Sequence, residues 1–457
     1  MSELPHVTII VLNWNGRSYL DSCLTALSRL DYPRYSVVLV DNASSDDSVA
    51  FVQHRFPQVN IVQNRRNLGY AGGNNLALRN LQSEFAVLVN PDIVVNRQWL
   101  KELITPLTAD QTMAIAGCKL YFPGGQLLQH AGGLISRPRA MPDHRGVREP
   151  DRGQYDSLCD VDYVTGAAIA IRHTALQTIG LLDEGYFMYF EEVDYCTRAR
   201  AAAYRVVYVP QATAVHDESA IAVRGSYSYL ERFHTGRWRY LLKHFEPHNI
   251  IAATFPAEEQ WLANLQGDER QAVNRAYRTT LAGLDKIFST RVADGGTEVN
   301  DKQQSSIAAG LQQLRRTAYD NPLNKQKLDE LSEKADVQER PFSSTTPLIG
   351  PLLARIRALW AAVAVRESVS GITRQQNAFN EKLVQELREM ESRLPLPTAD
   401  WLQQDDNLGA VKQQQTEIDA ELARAYQLIA SIQSRLERLE KQADLNATSG
   451  KSDPDPT

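Results

Sequence analysis

VTIIVLNWNGRSYLDSCLTALSRLDYPRYSVVLVDNASSDD (residues 7–47) sets the fold. It opens on the apolar run VTIIVL (7–12), crosses an amphipathic stretch at 18–29, and returns to VVLV (37–40). Apolar runs without alternation read as strands buried on both faces. Two such strands joined by a helix lie parallel in one sheet. Working outward, 46–56 and 70–81 read as further helices and FAVLV (85–89) as a third strand. The fold class is therefore α/β, with a parallel sheet covered on both sides. Ligands belong at the carboxyl ends of its strands.

Farther along, SRPRAMPDHRGVREPDRGQYDS (136–157) loses apolar content and reads as a long exposed loop. VDYVTGAAIAIR (161–172) reads as a buried strand, 191–203 as a helix and YRVVYVP (204–210) as a strand. Strands then cease. SYSYLERFHTGRWRYLLKHF (226–245) is an aromatic, basic amphipathic helix, and 257–335 is helical and polar with a glycine break at 294–296. PFSSTTPLIGP (341–351) is a linker, and ARIRALWAAVAV (354–365) suits packing on a partner better than lying on a membrane. Leu408, Val411, Gln415, Ile418, Leu422, Ala425, Ile429, Ile432, Leu436 and Leu439 step alternately by three and four, the seam of a coiled coil. The expected partition is an α/β domain at 1–245, a helical region at 246–340, linker and amphipathic helices at 341–400, a coiled coil at 401–443 that makes a homo-oligomer, and a disordered tail at 444–457.

The whole chain has 457 residues, enough for two or three domains, and its 43% apolar and 23% charged content is globular. With 49 basic and 55 acidic residues the net charge is −6, so no global basic field recruits nucleic acid. Phosphate must be handled locally. Cys23, Cys118, Cys159 and Cys196 lie far apart, without a CxxC pair, which fits a reducing compartment. The first residues lack the features of a secretory signal, and no apolar run reaches the ~18 residues of a membrane span. The expected location is the cytoplasm, with peripheral contact at the inner membrane face left open.

The polar residues after each strand carry the chemistry. Asn13-Trp14-Asn15-Gly16 is a tight turn into a helix. In Asp41-Asn42-Ala43-Ser44-Ser45-Asp46-Asp47, the serines and Asp46 suit a helix cap. Asp41 is left to accept hydrogen bonds from a ribose or a pyrimidine imide. Asn67-Leu68-Gly69-Tyr70-Ala71-Gly72-Gly73-Asn74-Asn75 offers either free N–H groups to a ligand or close helix-to-sheet packing. Asn90-Pro91-Asp92 fixes a carboxylate that suits a hard divalent cation. Glu191-Glu192-Val193-Asp194 opens a helix behind GYFMYF, whose aromatic surroundings raise carboxyl pKa values toward those of a general base. His216 follows a strand; a lone His is usually structural, but one at a strand exit can complete a metal site.

VTIIVLNWNG, VVLVDNASSDDS, NLGYAGGNNLALR, VLVNPD, TGAAIAIR, LLDEGYFMYFEEVDYCTRAR and VPQATAVH occur in an order that resembles family 2 glycosyltransferases of the GT-A fold, most closely their rhamnosyltransferase-like branch. The resemblance covers roughly residues 5–245. It implies a nucleotide-sugar donor held by Asn13, Asn15, Asp41, Asn67, Gly72, Asn74, Asn90 and Asp92, and Mg2+ or Mn2+ on Asp92 and His216. It further implies a saccharide or lipid-linked acceptor beside Gly166 and Asp194, and inverting transfer with Glu192 as base and Glu191 beside it. In this branch it favours dTDP-rhamnose as donor. Two positions depart from the family pattern: Asn90 replaces the first Asp of Asp-x-Asp, and Glu191-Glu192 replaces Glu-Asp. The alternatives are a nucleotidyltransferase, which needs a basic glycine-rich loop after the first strand where only Arg17 is found, and a non-catalytic coiled-coil assembly protein.

Overall fold

The computed structural model describes residues 4–217 and 225–319. The linker, the 354–365 helix, the coiled-coil seam and the tail lie outside the described residues, and so do the oligomer and membrane expectations attached to them. The first half of the sheet follows the expected rhythm with one added strand, β3, between the second and third helices: β1 (Val7–Asn13), α1 (Arg17–Ser28), β2 (Tyr35–Asp41), α2 (Ser48–Arg55), β3 (Asn60–Gln63), α3 (Gly69–Leu78) and β4 (Phe85–Val89). There follow β5 (Ile93–Val95), α4 (Trp99–Ala109), β6 (Met113–Tyr121), β7 (Leu128–His130), β8 (Gly133–Ser136), β9 (Met141–His144), β10 (Cys159–Asp160), β11 (Ala168–Arg172), α5 (His173–Ile179), α6 (Glu191–Ala201) and β12 (Arg205–His216). The rest is helical: α7 (Tyr227–His244), the short α8 (Pro247–Asn249), a π-helical turn at Ile250–Thr254, α9 (Phe255–Asn264), α10 (Gly267–Ala282), α11 (Leu284–Ala293) and α12 (Asp301–Tyr319). None of the described helices is long and apolar enough to cross a membrane.

The main path of the sheet runs β10-β12-β6-β11-β4-β1-β2-β3. Strands β2, β1 and β4 are parallel, as expected, β3 extends them in parallel, and β11 lies antiparallel between β4 and β6. The sheet is mixed because β11 is entered from the long β6-to-β11 excursion rather than through a crossover helix. Alternate residues serve opposite faces. Ile10, Val40 and Leu88 join the core beneath α3 and α6, while Ile9, Val11, Leu39 and Val87 join the core beneath α1 and α4.

Two local expectations change. The 136–157 stretch is not simply an exposed loop: β8 and β9 pair within it, Ala140 is fully buried, and Tyr155 packs on the core. In 161–172 only Ala168–Arg172 is strand; the residues before it turn through the interior. Several basic residues of α7 lie inside the protein. Arg237, Arg239 and Lys243 are buried and pair with Glu258 and Asp183. The glycine break is where it was expected, with α11 ending at Ala293 and Gly295 in the left-handed region at φ +83°.

Candidate active site

Register brings the strand ends together. Asn13 pairs with Asp41 across β1 and β2, and Val11 pairs with Val89 across β1 and β4. The turns that follow these strands therefore emerge side by side. Asn13 is fully buried, and its Nδ2 donates to Asp41 Oδ1 at 3.1 Å and Ser44 Oγ at 3.1 Å. Asp41 also accepts from the Ser44 N–H and hydroxyl, while Asn15 Oδ1 accepts from the Ser45 N–H at 2.7 Å. These three residues knit two turns into one rim.

Next to this rim opens a cleft of about 560 Å3. Asn67, Asn90, Asp92, Gly166, Glu191, Glu192 and His216 all line it, so seven of the expected residues converge. Asn13, Asn15 and Asp41 adjoin it without lining it. Gly72 packs instead: a Cβ there would stand 2.9 Å from Leu68 Cβ. Asn74 is turned into α3, where its Nδ2 donates to the Tyr70 carbonyl. Asp194, expected on the acceptor side, is wholly inside, bound by Arg198 at 2.9 Å, Lys243 at 2.6 Å and His244 at 2.7 Å. Burial opposes its ionisation, but His244, Arg198 and Lys243 outweigh that and hold its carboxyl far below the usual range. Helix geometry explains the difference: residues two apart point roughly 200° apart, so Asp194 faces away from Glu192.

At one end of the cleft, β5 pairs antiparallel with β12, with His216 opposite Ile93. That pairing sets His216 Nε2 3.3 Å from Asp92 Oδ1. His216 Nδ1 donates to Gln129 Oε1 at 2.7 Å, which orients the ring with Nε2 toward Asp92. Asp92 Oδ1 is buried and accepts no hydrogen bond. The residue chemistry of Asp92 and His216 fits a divalent ion. Among the described residues no three His, Cys, Asp or Glu side chains form a metal cluster. Cys23 beneath them is no ligand, its thiol pushed up to about 12 by burial and by Asp92.

Glu191 and Glu192 stand elsewhere on the wall. Both have an Oε2 without a partner, and Glu191 is only 4% exposed. Burial, then the charge of Glu192, raises the Glu191 carboxyl well above its ordinary value. Burial also raises Glu192, offset in part by its own N–H and the backbone N–H groups of Gly166 and Val193. The entry to α6 is strained. Tyr189 and Phe190 take φ of 75° and 73°, in the left-handed region that side chains avoid. Ring packing holds them there, Tyr189 on Tyr229 at 4.9 Å and Phe190 on Phe233 at 5.3 Å between centroids. Gly69 supports the same wall from α3: its φ is +70°, and a Cβ would lie 2.0 Å from the Phe187 carbonyl oxygen.

Sequence reasoning missed several cleft residues. Asn42 lines the cleft and ties its floor, donating to Asn67 Oδ1 and the Gly69 carbonyl while accepting from the Leu68 N–H. Its adjacency to Asp41 was the available signal. His144 on the cleft wall, and Gln129 behind His216, had none, since both come from segments without regular spacing. Tyr229, Arg232 and Phe233 were visible only as an aromatic, basic helix.

A hexosyltransferase of low-salt glycan biosynthesis from Haloferax volcanii is 25% identical over 240 residues, covering 50% of this chain and 72% of that protein. An N-acetylglucosaminyl-diphospho-decaprenol L-rhamnosyltransferase from Mycobacterium tuberculosis is 24% identical over 263 residues, covering 50% of this chain and 86% of that protein. A crystal structure of GalNAc-T7 with UDP, GalNAc and Mn2+ aligns with a TM-score of 0.47 at 13% identity, over 64% of this chain and 55% of that one. Residues 5–240, just over half of the chain and all of the cleft's strand-end residues, match the family described as glycosyltransferase like family 2, and the chain belongs to that family.

Proposed function

We propose that the protein is a metal-dependent, inverting glycosyltransferase. It moves a sugar from a nucleoside-diphosphate donor to a hydroxyl of a saccharide or lipid-linked saccharide. The observation that carries this reading is one cleft holding Asp92 with His216 as well as the buried Glu191 and half-buried Glu192. Asp92 and His216 would hold Mg2+ or Mn2+, which supplies positive charge to a departing diphosphate. Asn42, Asn67 and Asn90 orient the donor beside the Asn13–Asp41 rim. Glu192 takes the acceptor proton, and its raised carboxyl pKa matches that task. The Gly166 backbone N–H favours the charged form of Glu192, and Tyr70 donates its hydroxyl to the Gly166 carbonyl. Rhamnose from dTDP-rhamnose is the proposed donor, supported by sequence likeness to the rhamnosyltransferase above.

A nucleotidyltransferase is disfavoured. Arg17, the basic residue of the β1–α1 turn, stacks 3.4 Å over Phe51 and pairs with Asp47 instead of gripping a triphosphate. Incubating the full chain with a panel of nucleotide sugars, a saccharide acceptor and Mg2+ tests the proposal. Transfer with inverted anomeric configuration supports it. No transfer or donor hydrolysis with any donor sinks it.

A further inference from the structure

The cleft has a charge problem. It is lined by three carboxylates, Asp92, Glu191 and Glu192, yet the proposed substrates bring further negative charge in their phosphates. Among the described residues a single Lys or Arg side chain lines it, Arg232 on α7. Most arginines near the cleft are occupied: Arg237 pairs with Glu258, Arg239 with Asp183 and Arg198 with Asp194. Arg232 is not. Among the described residues it has no hydrogen-bond or ion-pair partner, and its guanidinium rests 5.0 Å from the centre of the Phe187 ring. Phe187 in turn is fixed by its backbone, whose carbonyl accepts from the Tyr70 N–H at 2.7 Å. Ser228, one turn earlier, and Ser226, the cap of the helix, also line the cleft, and Tyr229 and Phe233 flank Arg232 along the helix.

A structural arginine is normally saturated, whereas one parked on an aromatic face keeps its planar donors available. A guanidinium matches two phosphate oxygens at once, and it is less strongly hydrated than an ammonium. We propose that Arg232 is the phosphate-binding residue of this cleft, stacked on Phe187 and free to pair with a diphosphate carried by the substrate. The assignment rests on the glycosyltransferase reading. The diphosphate belongs either to the nucleotide donor or to a prenyl-linked acceptor, and the chemistry of recognition is the same for both.

Calorimetric titration of the full chain with dTDP plus Mg2+, and separately with farnesyl diphosphate, separates the two sources. Arg232→Ala is expected to weaken one of the probes by about 10- to 100-fold, the range for a lost charged hydrogen bond. Weaker dTDP binding alone assigns Arg232 to the donor, and weaker farnesyl diphosphate binding alone assigns it to the acceptor. Arg232→Lys, which keeps the charge and loses the fork, should recover part of the loss. Because Arg232 is exposed and unpaired, the thermal midpoint should not move. Unchanged affinity for both probes in Arg232→Ala overturns the assignment, even where the wild type transfers sugar. A wild type that binds neither probe overturns it as well, whereas failure of the donor panel removes the transfer reading itself.

Discussion

Buried carboxylates meet opposite fates in two regions of this molecule. Behind the cleft, Asp183, Asp194 and Glu258 are saturated with cations: Asp183 by Arg239 and Lys243, Asp194 by Arg198, Lys243 and His244, and Glu258 by Arg237 and Arg139. In the cleft, Asp92, Glu191 and Glu192 each keep an oxygen without a partner, and no Lys or Arg among the described residues pairs with them. Carboxyl pKa values divide accordingly. Burial raises Glu191 and Glu192, whereas in Glu258 the arginines overcome burial and hold the carboxyl down to about 2. An interior carboxylate without a cation opposes folding. Three of them in one cleft mark the place where an outside partner completes the charge.

The largest effect should fall on the cleft set. Glu192→Gln is expected to lower kcat by about 10²- to 10⁴-fold, the usual share of a general base, while donor affinity holds. Its denaturation midpoint should stay level or rise, because an unpaired buried acid becomes a neutral amide. A destabilised variant with intact turnover would place Glu192 in the structural set.

Glu258→Gln tests the other set. It leaves Arg237, fully buried, without its carboxylate, and breaking such a pair costs about 3–5 kcal/mol. Urea denaturation measures this directly. The folded carboxyl at about 2 lies below the ~4.3 of an unfolded glutamate, so its stabilisation is full above that value and fades as pH falls toward 2. Wild type should therefore lose more stability than Glu258→Gln between those pH values. Parallel acid titrations of the two proteins would contradict the ion-pair account.

Asp92→Ala should reduce turnover by about 10²- to 10³-fold, comparable to removing one electrostatic group from a reaction centre. Excess EDTA should do the same to wild type and add little to the variant. Full wild-type turnover in EDTA would take the ion out of the reading.

What the sequence disclosed about these two sets followed from chain locality. β1, β2 and β4 are continuous apolar runs, so their ends, and Asn90 and Asp92 beyond β4, are placed by hydropathy alone. Glu191, Glu192 and Asp194 could not be sorted from one another. All three are acidic residues in the first turn of α6, and only the helix's rotation sends Asp194 inward to Lys243 and His244 on α7. Those partners lie about fifty residues away, with no spacing rule to connect them. The same reason hid the antiparallel β11 and Gln129. Each is defined by a distant neighbour, Val89 for Ala168 in β11 and His216 for Gln129.

The smallest effect is expected one position from the largest. Two adjacent buried carboxyls do not both ionise readily, and the first to lose its proton is the one with more donors. Glu192 has the backbone N–H groups of Gly166 and Val193 besides its own, whereas Glu191 has only its own N–H and faces the charge of Glu192. Glu191 is therefore the partner whose charged form is the more disfavoured, and glutamine reproduces the shape of its protonated form. Glu191→Gln should change kcat by no more than about threefold, far below the general-base range. Its kcat/KM profile against pH should keep the wild-type acid limb, because that limb reports the ionisation of Glu192. The limb should lie above the ~4.3 of an ordinary glutamate in both proteins, as burial of Glu192 requires. A hundredfold loss of turnover in Glu191→Gln would exchange the roles of the two residues. A limb that drops into the ordinary range in the variant would show that Glu191 carries charge in the working enzyme.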